Sequence, residues 1–488
     1  MSAGTESVVS SPILRKNANL FILPMLLLFF FGHAQAEEYS LEELVKLGIQ
    51  KSHLSHNAND QWDQAQYDYR VSRQEFVPKW FLNTGSSMSW NRTNGNDLQN
   101  RQLSVGTSVQ MKTPLGTRLD LLASQGVVGG DTDQAVSTSA GVRLTQPLLK
   151  HSGWALNAVP RRQADVQFKM NQLQYEDSLA ELVDSIIMQY YLYQQSLLQQ
   201  HIHQQQSEQA QQFLDKLKLQ IEAGRAAPNE YLQAELELAK QQQQSIEIKR
   251  EMDKQYRALL LVVGLSETDQ PTIQAFSLPN YALLEEDQAL ELLLANNMQI
   301  QQFKTQLKTL EYQALLAKDD LRWELDLSSE FSMTGSDASF KNSTQDFIKN
   351  QDGRKLVALQ LKIPLGDKLS REQTLHQNHQ MLKILKRNMS YAEQQLTQNL
   401  HEYYADIEAK QRQLAFSEQA VSLAEKSWQN AKFKLESGRS SVFEVLSLQT
   451  QKAQAQMNHI QSQMALSLAY AALDRQLGKT LSRWGIRE

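Results

Sequence analysis

The sequence predicts an α+β membrane protein made of two similar halves, in which very long helices carry a few strands that close a β-barrel only in an oligomer. Three observations predict this fold. No glycine or proline occurs in residues 161–223 or 367–437, a sequence pattern recurs 214 residues later, and short segments between the long helices alternate apolar and polar side chains. Because glycine and proline are the strongest helix breakers, their absence over such lengths favours continuous helices.

Composition excludes several classes of protein. The chain has 488 residues, a formal net charge of −5 and no cysteine. The lack of cysteine excludes disulfides, thiol catalysis and thiolate metal sites. The charge provides no strongly basic surface, so no nucleic-acid partner is expected. The 62 glutamines indicate long, solvated helices rather than a thick globular core.

The N-terminus has the organisation of an export signal peptide. Arg15 and Lys16 precede an apolar run at 20–31, and residues 34–36 form a small-x-small cleavage site. The run is shorter than the roughly 20 apolar residues that a membrane-spanning helix needs. We therefore expect residues 1–36 to be a signal peptide that is cleaved after Ala36, the alternative being an uncleaved anchor.

The uninterrupted stretches define long antiparallel helices in two structural repeats, 37–280 and 281–488. The predicted helices are 40–77, 155–222 and 229–263 in the first repeat and 285–320, 366–436 and 442–477 in the second. In the last helix, small and apolar residues recur at alternating spacings of four and three, which is typical of a coiled coil. At about 1.5 Å per residue, the two longest helices each extend roughly 100 Å.

The duplication is clearest at the turns between helices. The matching positions are Gly224 with Gly438, Arg225 with Arg439 and Glu230 with Glu444. Each repeat therefore contains two long helices joined by a short Gly-Arg turn, which is an α-hairpin.

Alternating segments lie between the helices, within 80–146 and 323–363. The predicted strands are 80–90, 101–113, 116–126 and 135–146 in the first repeat and 323–333 and 357–363 in the second. One face of each is apolar and the other polar over about 10 residues, as in transmembrane β-strands. The pair at 101–126 resembles an extra hairpin. The alternative for all of these strands is a half-buried sheet of a soluble domain.

Three tryptophans stand where helices meet strands, at Trp80, Trp154 and Trp323. Such positions fit an aromatic belt at a membrane interface. The alternative is that each ring packs at a joint between a helix and a strand.

The predicted strands cannot form a closed barrel within one chain, because the smallest membrane barrels have about eight strands. An open sheet edge in lipid leaves backbone groups unpaired, so the chain must oligomerise. The order of helix, strands and two helices, given twice after a signal peptide, resembles the TolC family of outer-membrane efflux and secretion ducts. The similarity is most specific at 438–446, at its copy 224–232 and at 144–149.

The resemblance implies a TolC-like protomer in a homotrimer, with a twelve-stranded β-barrel in outer-membrane lipid and a periplasmic α-barrel closed at its tip. It also implies a Gram-negative bacterium, a periplasmic adaptor protein and an inner-membrane transporter. The chain departs from the family at the gate, because Ser440 stands where the family has its gating arginine and Arg439 lies one residue earlier. The acidic ring positions of the family are Glu230 and Glu444 here.

The two turns are the candidate functional site. In a trimer, three copies of Glu230 and Glu444 would line an aperture, and Arg225 and Arg439 would tie neighbouring hairpins shut. Exposed ties of this kind contribute only about 0–1 kcal/mol each, which suits a gate that must open. The alternative is that both glutamates are simply helix-start residues, favoured there by the helix dipole.

No other pattern predicts chemistry. The histidines at 201, 203, 376 and 379 are expected to be solvated helix residues, so neither a metal site nor a cofactor is predicted. No nucleotide-binding loop or hydrolase motif occurs, so the protein is not expected to be an enzyme. The sequence therefore predicts a passive export duct for small molecules or secreted protein. The alternative is a structural coiled-coil protein of the cell envelope without transport activity.

Overall fold

A computed structural model describes residues 38–93, 96–129, 134–224, 227–269, 271–349 and 353–486. The predicted signal peptide, its cleavage site after Ala36 and the candidate gate residue Arg225 lie outside the described residues. Within the described part of the chain, no helix combines the length and the apolar character needed to cross a bilayer.

The first half of the chain runs from a short strand through two helices, four strands and three further helices. These elements are β1 (Glu38–Tyr39), α1 (Leu41–Lys51), α2 (His53–Ser72), β2 (Lys79–Thr93), β3 (Asn96–Lys112), β4 (Arg118–Gly129), β5 (Gln134–Pro147), α3 (Trp154–Asn157), α4 (Val159–Glu222) and α5 (Pro228–Val263).

The second half repeats this order with two long strands and an added short helix between them. Its elements are β6 (Thr272–Ile273), α6 (Glu286–Asn296), α7 (Met298–Asp320), β7 (Glu324–Asp337), α8 (Phe340–Lys349), β8 (Arg354–Lys362), α9 (Lys368–Glu436), α10 (Val442–Gln476) and α11 (Thr480–Arg483). The four helices predicted on either side of the hairpin turns agree with α4, α5, α9 and α10 to within a few residues, apart from the separate first turn α3.

The helices predicted at 40–77 and 285–320 are each wrong as single helices. The first is broken at Ser52 and ends at Ser72, and the second is broken at Asn297. Ser52 accepts a hydrogen bond from Leu54 N at 3.3 Å, and Asn297 Oδ1 accepts one from Gln299 N at 3.0 Å. Each side chain caps the N-terminus of the next helix while its own backbone is extended.

Both breaks lie against a glycine that ends a long helix. A Cβ on Gly264, at φ +81°, would lie 2.4 Å from the carbonyl oxygen of Lys51. A Cβ on Gly478, at φ +67°, would lie 3.1 Å from the Cβ of Asn296. The left-handed conformation and the close approach both favour glycine at these two repeat-related positions.

The long helices lie side by side in four columns. Near the sheet, α4 packs against α2 and α7, and α7 packs against α9. Toward the hairpin turns, α4 packs against α5 and α10, and α10 packs against α9. The columns are therefore α2–α5, α4, α7–α10 and α9, with α2–α5 at one edge and α9 at the other. We call this arrangement the helical layer.

Most of the core lies midway along the helical layer. One cluster joins α1, α4, α5 and α10 around Leu44, Ile186 and Val263. A second joins α6, α9 and α10 around Leu293 and Leu400. Each fully buried aliphatic side chain contributes roughly 1.5–3 kcal/mol, so these clusters hold the columns together.

Six strands form one antiparallel sheet in the order β2-β3-β4-β5-β7-β8, while the short strands β1 and β6 pair separately in parallel. The extra hairpin predicted at 101–126 is therefore part of the sheet, between β2 and β5. Comparison of the two repeats shows that the first one is longer in this region. The helix breaks at Ser52 and Asn297 are 245 residues apart, whereas Gly224 and Gly438 are 214 apart. The first repeat thus carries 31 more residues over this interval.

The sheet has one apolar face and one polar face, as its alternation predicts. On the apolar face, Leu327 of β7 pairs with Leu359 of β8, and Phe331 pairs with Val142 of β5. On the polar face, the neighbouring position Asp326 pairs with Gln360.

Ion pairs cross the polar face between strands. Arg143 Nη2 lies 2.9 Å from Glu330 Oε2, and Lys362 Nζ lies 3.1 Å from Glu324 Oε2. These cross-strand charge pairs stabilise the register of β5, β7 and β8.

Helix α8 was not predicted, and it covers one end of the apolar face. A Cβ on Gly335 would lie 2.2 Å from Phe347 N, so glycine allows the helix to approach β7 closely. The hydroxyl oxygens of Ser343 and Thr138 lie 2.7 Å apart and share a hydrogen bond across this contact.

Candidate gate at the helical tip

Two tight turns form the end of the helical layer farthest from the sheet. Gly224 has φ +68° and Gly438 has φ +70°, the left-handed conformation that glycine adopts without strain. At the second turn, Arg439 N donates to Lys434 O at 2.8 Å and closes the end of α9. Apart from the residues adjacent to each glycine, no atom of a described residue lies within 4 Å of a Cβ built on either one, so the backbone conformation and not space selects these residues.

Glu444 is held by the serines that precede it. Ser440 Oγ donates to Glu444 Oε2 at 2.8 Å, and Glu444 N donates to Ser441 Oγ at 3.1 Å. Ser441 is therefore the N-cap of α10, and Ser440 fixes the carboxylate at the helix start. Ser440 thus acts as a local hydrogen-bond partner of the acidic side chain.

Glu230 occupies the related position in α5 with a different environment. It lies in the first turn, after Pro228, and its N–H donates to Ala227 O at 3.0 Å. The α5 N-cap is Ala227, which offers no side-chain hydrogen bond, whereas α10 has Ser441. Glu230 and Glu444 therefore occupy equivalent positions in the two repeats, but their helix starts are capped differently.

Arg439 projects from the second turn into solvent and forms no ion pair with another described residue. Its charge is therefore available to a group outside the described chain, as the predicted tie between neighbouring hairpins requires. The same prediction for Arg225 falls outside the described residues.

Within the chain, a different pair ties the two hairpins together. Lys216 Nζ on α4 lies 3.0 Å from Glu436 Oε1 on α9. The hydrogen bond from Lys216 lowers the pKa of the Glu436 carboxyl. Sequence analysis missed this contact because the repeat copy of Lys216 is Asn430, so the duplication gives no signal there.

An apolar cluster beneath the turns supports this pair. Its buried members come from both hairpins and are Ala210, Leu214, Leu217, Ala234, Leu238 and Val442. The cluster fixes the two turns of one chain relative to each other. The two turns of one chain can therefore separate only if this cluster comes apart.

The three tryptophans lie at the end of the sheet that joins the helical layer. Trp80 lies in β2, Trp323 directly precedes β7 and Trp154 begins α3. Their exposures are 78%, 52% and 55%, so none is a buried packing residue in the single chain. The Arg162 guanidinium lies 4.8 Å from the Trp154 ring centroid, a cation–π contact. The interface belt stays a prediction.

One histidine prediction is wrong. His203 is 7% exposed, so it is a buried residue of the α4–α5 contact and not a solvated one. Burial lowers the pKa of its imidazole. The other three, His201, His376 and His379, are exposed. Among the described residues, no group of three or more His, Asp or Glu side chains is placed to hold a metal ion.

A partly buried charge cluster joins α4 to α10 midway along the layer. Arg475 contacts both Asp177 and Asp184, with Arg475 Nε 3.3 Å from Asp184 Oδ2. Burial raises the pKa of Asp184 to about 6, against the opposing effect of Arg475. Nearby, Tyr281 Oη donates to Asp474 Oδ1 at 2.5 Å. This cluster lies outside the candidate gate.

Known proteins share this arrangement. The family model described as outer membrane efflux protein matches residues 50–265 and 289–479. In a search of curated proteins, no sequence matches the chain.

Solved outer-membrane channels share the fold. The chain is similar to the outer membrane protein VceC of Vibrio cholerae, at 14% identity and a TM-score of 0.68, over 90% of this chain and 96% of that one. It is also similar to the open state of the MtrE channel of Neisseria gonorrhoeae, at 11% identity and a TM-score of 0.66, over 90% and 89%. The CmeC channel of Campylobacter jejuni matches at 13% identity and a TM-score of 0.65, over 90% and 86%.

The family model covers most of the chain and both repeats, and the sheet and helical columns have the fold of these channels. The chain therefore belongs to the outer membrane efflux protein family.

Proposed function

We propose that three copies of this chain form a passive export duct that takes cargo from an inner-membrane transporter through a periplasmic adaptor and releases it outside the cell. In this proposal the signal peptide is removed after Ala36 and the helical layer extends into the periplasm. The single observation that carries it is the pair of unpartnered edges. Among the described residues, strand β2 has a neighbour only in β3, and β8 only in β7. In lipid, both edges need partners from other copies.

The helical layer has matching edges on the same two sides. Column α2–α5 leads into β2 and column α9 follows β8. Both columns carry large apolar side chains in solvent, which are Leu232, Leu236 and Ile246 on α5 and Met381, Phe416, Leu423 and Phe433 on α9. Packing the α9 edge of one copy on the α2–α5 edge of the next buries these side chains and pairs β8 with β2. Three copies then close both layers.

The alternative of a structural coiled-coil protein does not account for the sheet. A spacer has no need of antiparallel strands with one apolar and one charged face. A duct requires that alternation, because lipid contacts one face and water the other.

The proposed gate lies at the tip, where the adaptor would also dock. Glu230 and Glu444 of three copies surround the axis, and Arg439 reaches the neighbouring hairpin. Ser440 sets the direction of the Glu444 carboxylate through its hydrogen bond. The exposed Phe443 beside this turn provides apolar surface for the adaptor.

Fractionation and assembly test the duct. The mature protein should appear in outer-membrane fractions as a trimer whose gel mobility changes on heating. Recovery as a soluble periplasmic monomer would overturn the proposal.

Combined replacement of Arg439 and Glu230 by alanine tests the gate. Loss of weak ties between copies should raise the single-channel conductance of the purified trimer. Lys218→Ala, an exposed change on α4 outside the turns, is the control. Parental conductance in the double variant would place the aperture elsewhere.

A further inference from the structure

The hairpin β3–β4 is built into the sheet along its whole length. Strand β3 pairs with β2 from Lys79↔Gln110 to Thr93↔Asn96. Strand β4 pairs with β5 from Arg118↔Thr145 to Gly129↔Gln134. A hairpin that plugged a pore or covered its mouth would leave one of these edges free, so β3 and β4 have the pairing of wall strands.

The side chains of β3 and β4 alternate between the same two sheet faces as those of the neighbouring strands. On the apolar face, Val109 of β3 pairs with Leu121 of β4, which pairs with Val142 of β5. Leu103 and Val105 of β3 are 56% and 50% exposed, as lipid-facing residues of a single chain should be. The apolar face thus continues across the inserted strands, apart from Gln125 of β4, which pairs with Val105 and donates a hydrogen bond to Thr138 of β5 at 2.9 Å.

On the polar face the hairpin carries small residues on either side of one apolar residue, Leu122 of β4, which pairs with Ser108. Asn83 Nδ2 of β2 donates to Ser108 Oγ of β3 at 3.1 Å. Ser124 Oγ of β4 and Ser139 Oγ of β5 lie 2.8 Å apart. A Cβ on Gly106 would lie 2.7 Å from Ser124 Cβ, so the wall here leaves little room for larger side chains. These hydrogen bonds join the hairpin to both flanking strands.

The width of the sheet matches the helical layer beneath it. Four helix columns at about 8–10 Å spacing span about 32–40 Å. Strands about 4.8 Å apart and tilted by about 40° occupy about 6 Å of circumference each, so six strands span about 37 Å. Four strands would span only about 25 Å by the same geometry. With six strands, one chain occupies the same arc in both layers.

We infer that the outer-membrane barrel of this protein has eighteen strands, six from each of three copies, and that β8 of each copy pairs with β2 of the next. The inference rests on the proposed trimer, and it replaces the twelve-stranded barrel implied by the family resemblance. Closure of eighteen strands gives a backbone diameter of about 36 Å, compared with about 24 Å for twelve. The barrel is therefore wide enough for bulky cargo such as a polypeptide segment.

Cysteine labelling tests the placement of the hairpin in a chain that has no cysteine of its own. Val105→Cys lies on the apolar face of β3 and Ser104→Cys on its polar face. In trimers embedded in lipid vesicles, a membrane-impermeant maleimide should label Ser104→Cys and spare Val105→Cys. A plug inside the bore or a lid outside the membrane would expose both sites equally, and equal labelling would overturn the inference.

A matched pair on β7 separates this inference from the proposed duct. Leu327→Cys and Ser328→Cys occupy opposite faces of a strand that belongs to the barrel in either case. Alternation on β7 without alternation on β3 rejects the eighteen-stranded wall and leaves the duct intact. Loss of alternation on both strands rejects the membrane barrel itself.

Electron microscopy of the unaltered trimer in nanodiscs counts the strands of the barrel wall directly. Eighteen strands and a backbone diameter near 36 Å are expected from the closure geometry. Twelve strands with a diameter near 24 Å, and the hairpin outside the wall, would overturn the inference.

Discussion

Replacing Leu359 by arginine tests which face of the sheet contacts lipid. Leu359 is 65% exposed on the apolar face and pairs with Leu327. If Trp323 marks the membrane interface, as predicted, Leu327 lies four residues further along a strand tilted by about 40°, which at about 3.3 Å per residue is about 10 Å into the membrane. The apolar band of such barrels is about 25 Å tall, so Leu359 lies near its middle.

The expected penalty follows from that depth. An arginine facing lipid at the bilayer midplane costs about 2–4 kcal/mol. The trimer contains the substitution three times, so the total is about 6–12 kcal/mol per barrel. At about 1.4 kcal/mol per factor of ten, even one copy shifts the folded-to-unfolded ratio by more than tenfold.

Gln360→Arg is the matched control, one residue away on the same strand. Gln360 pairs with Asp326 on the polar face, where an arginine meets water and a carboxylate. The assay is the yield of heat-modifiable trimer in outer-membrane fractions, with the urea concentration at which that band is lost. Leu359→Arg should lose trimer and Gln360→Arg should retain it. Equal loss in the two variants would refute the assignment of the faces.

Three further predictions concern the helical layer. Gly264→Ala should lower the melting temperature more than Gly438→Ala. Both glycines have positive φ, but only a Cβ on Gly264 would meet a backbone carbonyl, at 2.4 Å. Equal melting temperatures for the two variants would contradict this. Asp184→Asn should flatten the pH dependence of thermal stability. Burial raises the pKa of this carboxyl to about 6, so the folded state binds the proton more tightly and stability falls as pH rises from about 4 to about 6. A variant with the parental slope would exclude this carboxyl as its source. Glu230→Gln with Glu444→Gln should reduce cation selectivity in reversal-potential measurements with little loss of trimer, and unchanged selectivity would leave both as helix-start residues.

The long helices were predictable because the breakers are absent, but their interruptions were not. Ser52 and Asn297 are residues that also occur within helices, and no glycine or proline marks either position. Each becomes a cap because a glycine at the end of another helix, Gly264 or Gly478, packs against the chain there. That contact joins residues more than 180 positions apart, so local sequence carries no sign of it.

The candidate site was predictable to the extent that it repeats. The duplication identified the two turns and the paired glutamates, and the spacing of Ser440 and Glu444 permits the hydrogen bond between them. Lys216 and Glu436 are not related by the repeat, and only the packing of the two hairpins against each other at the tip brings them to 3.0 Å. The strand alternation predicted the hairpin, but its place between β2 and β5 depends on tertiary pairing.

Planar-bilayer recording of the purified protein tests the central claim that this chain forms a trimeric export duct. Native mass measurement on the same sample should give three chains per particle. Addition of that particle to one side of a bilayer should produce discrete, uniform conductance steps, with preference for cations as the acidic ring predicts. A monomeric particle, or a trimer that inserts without conductance steps even when Arg439 and Glu230 are replaced by alanine, would contradict the account.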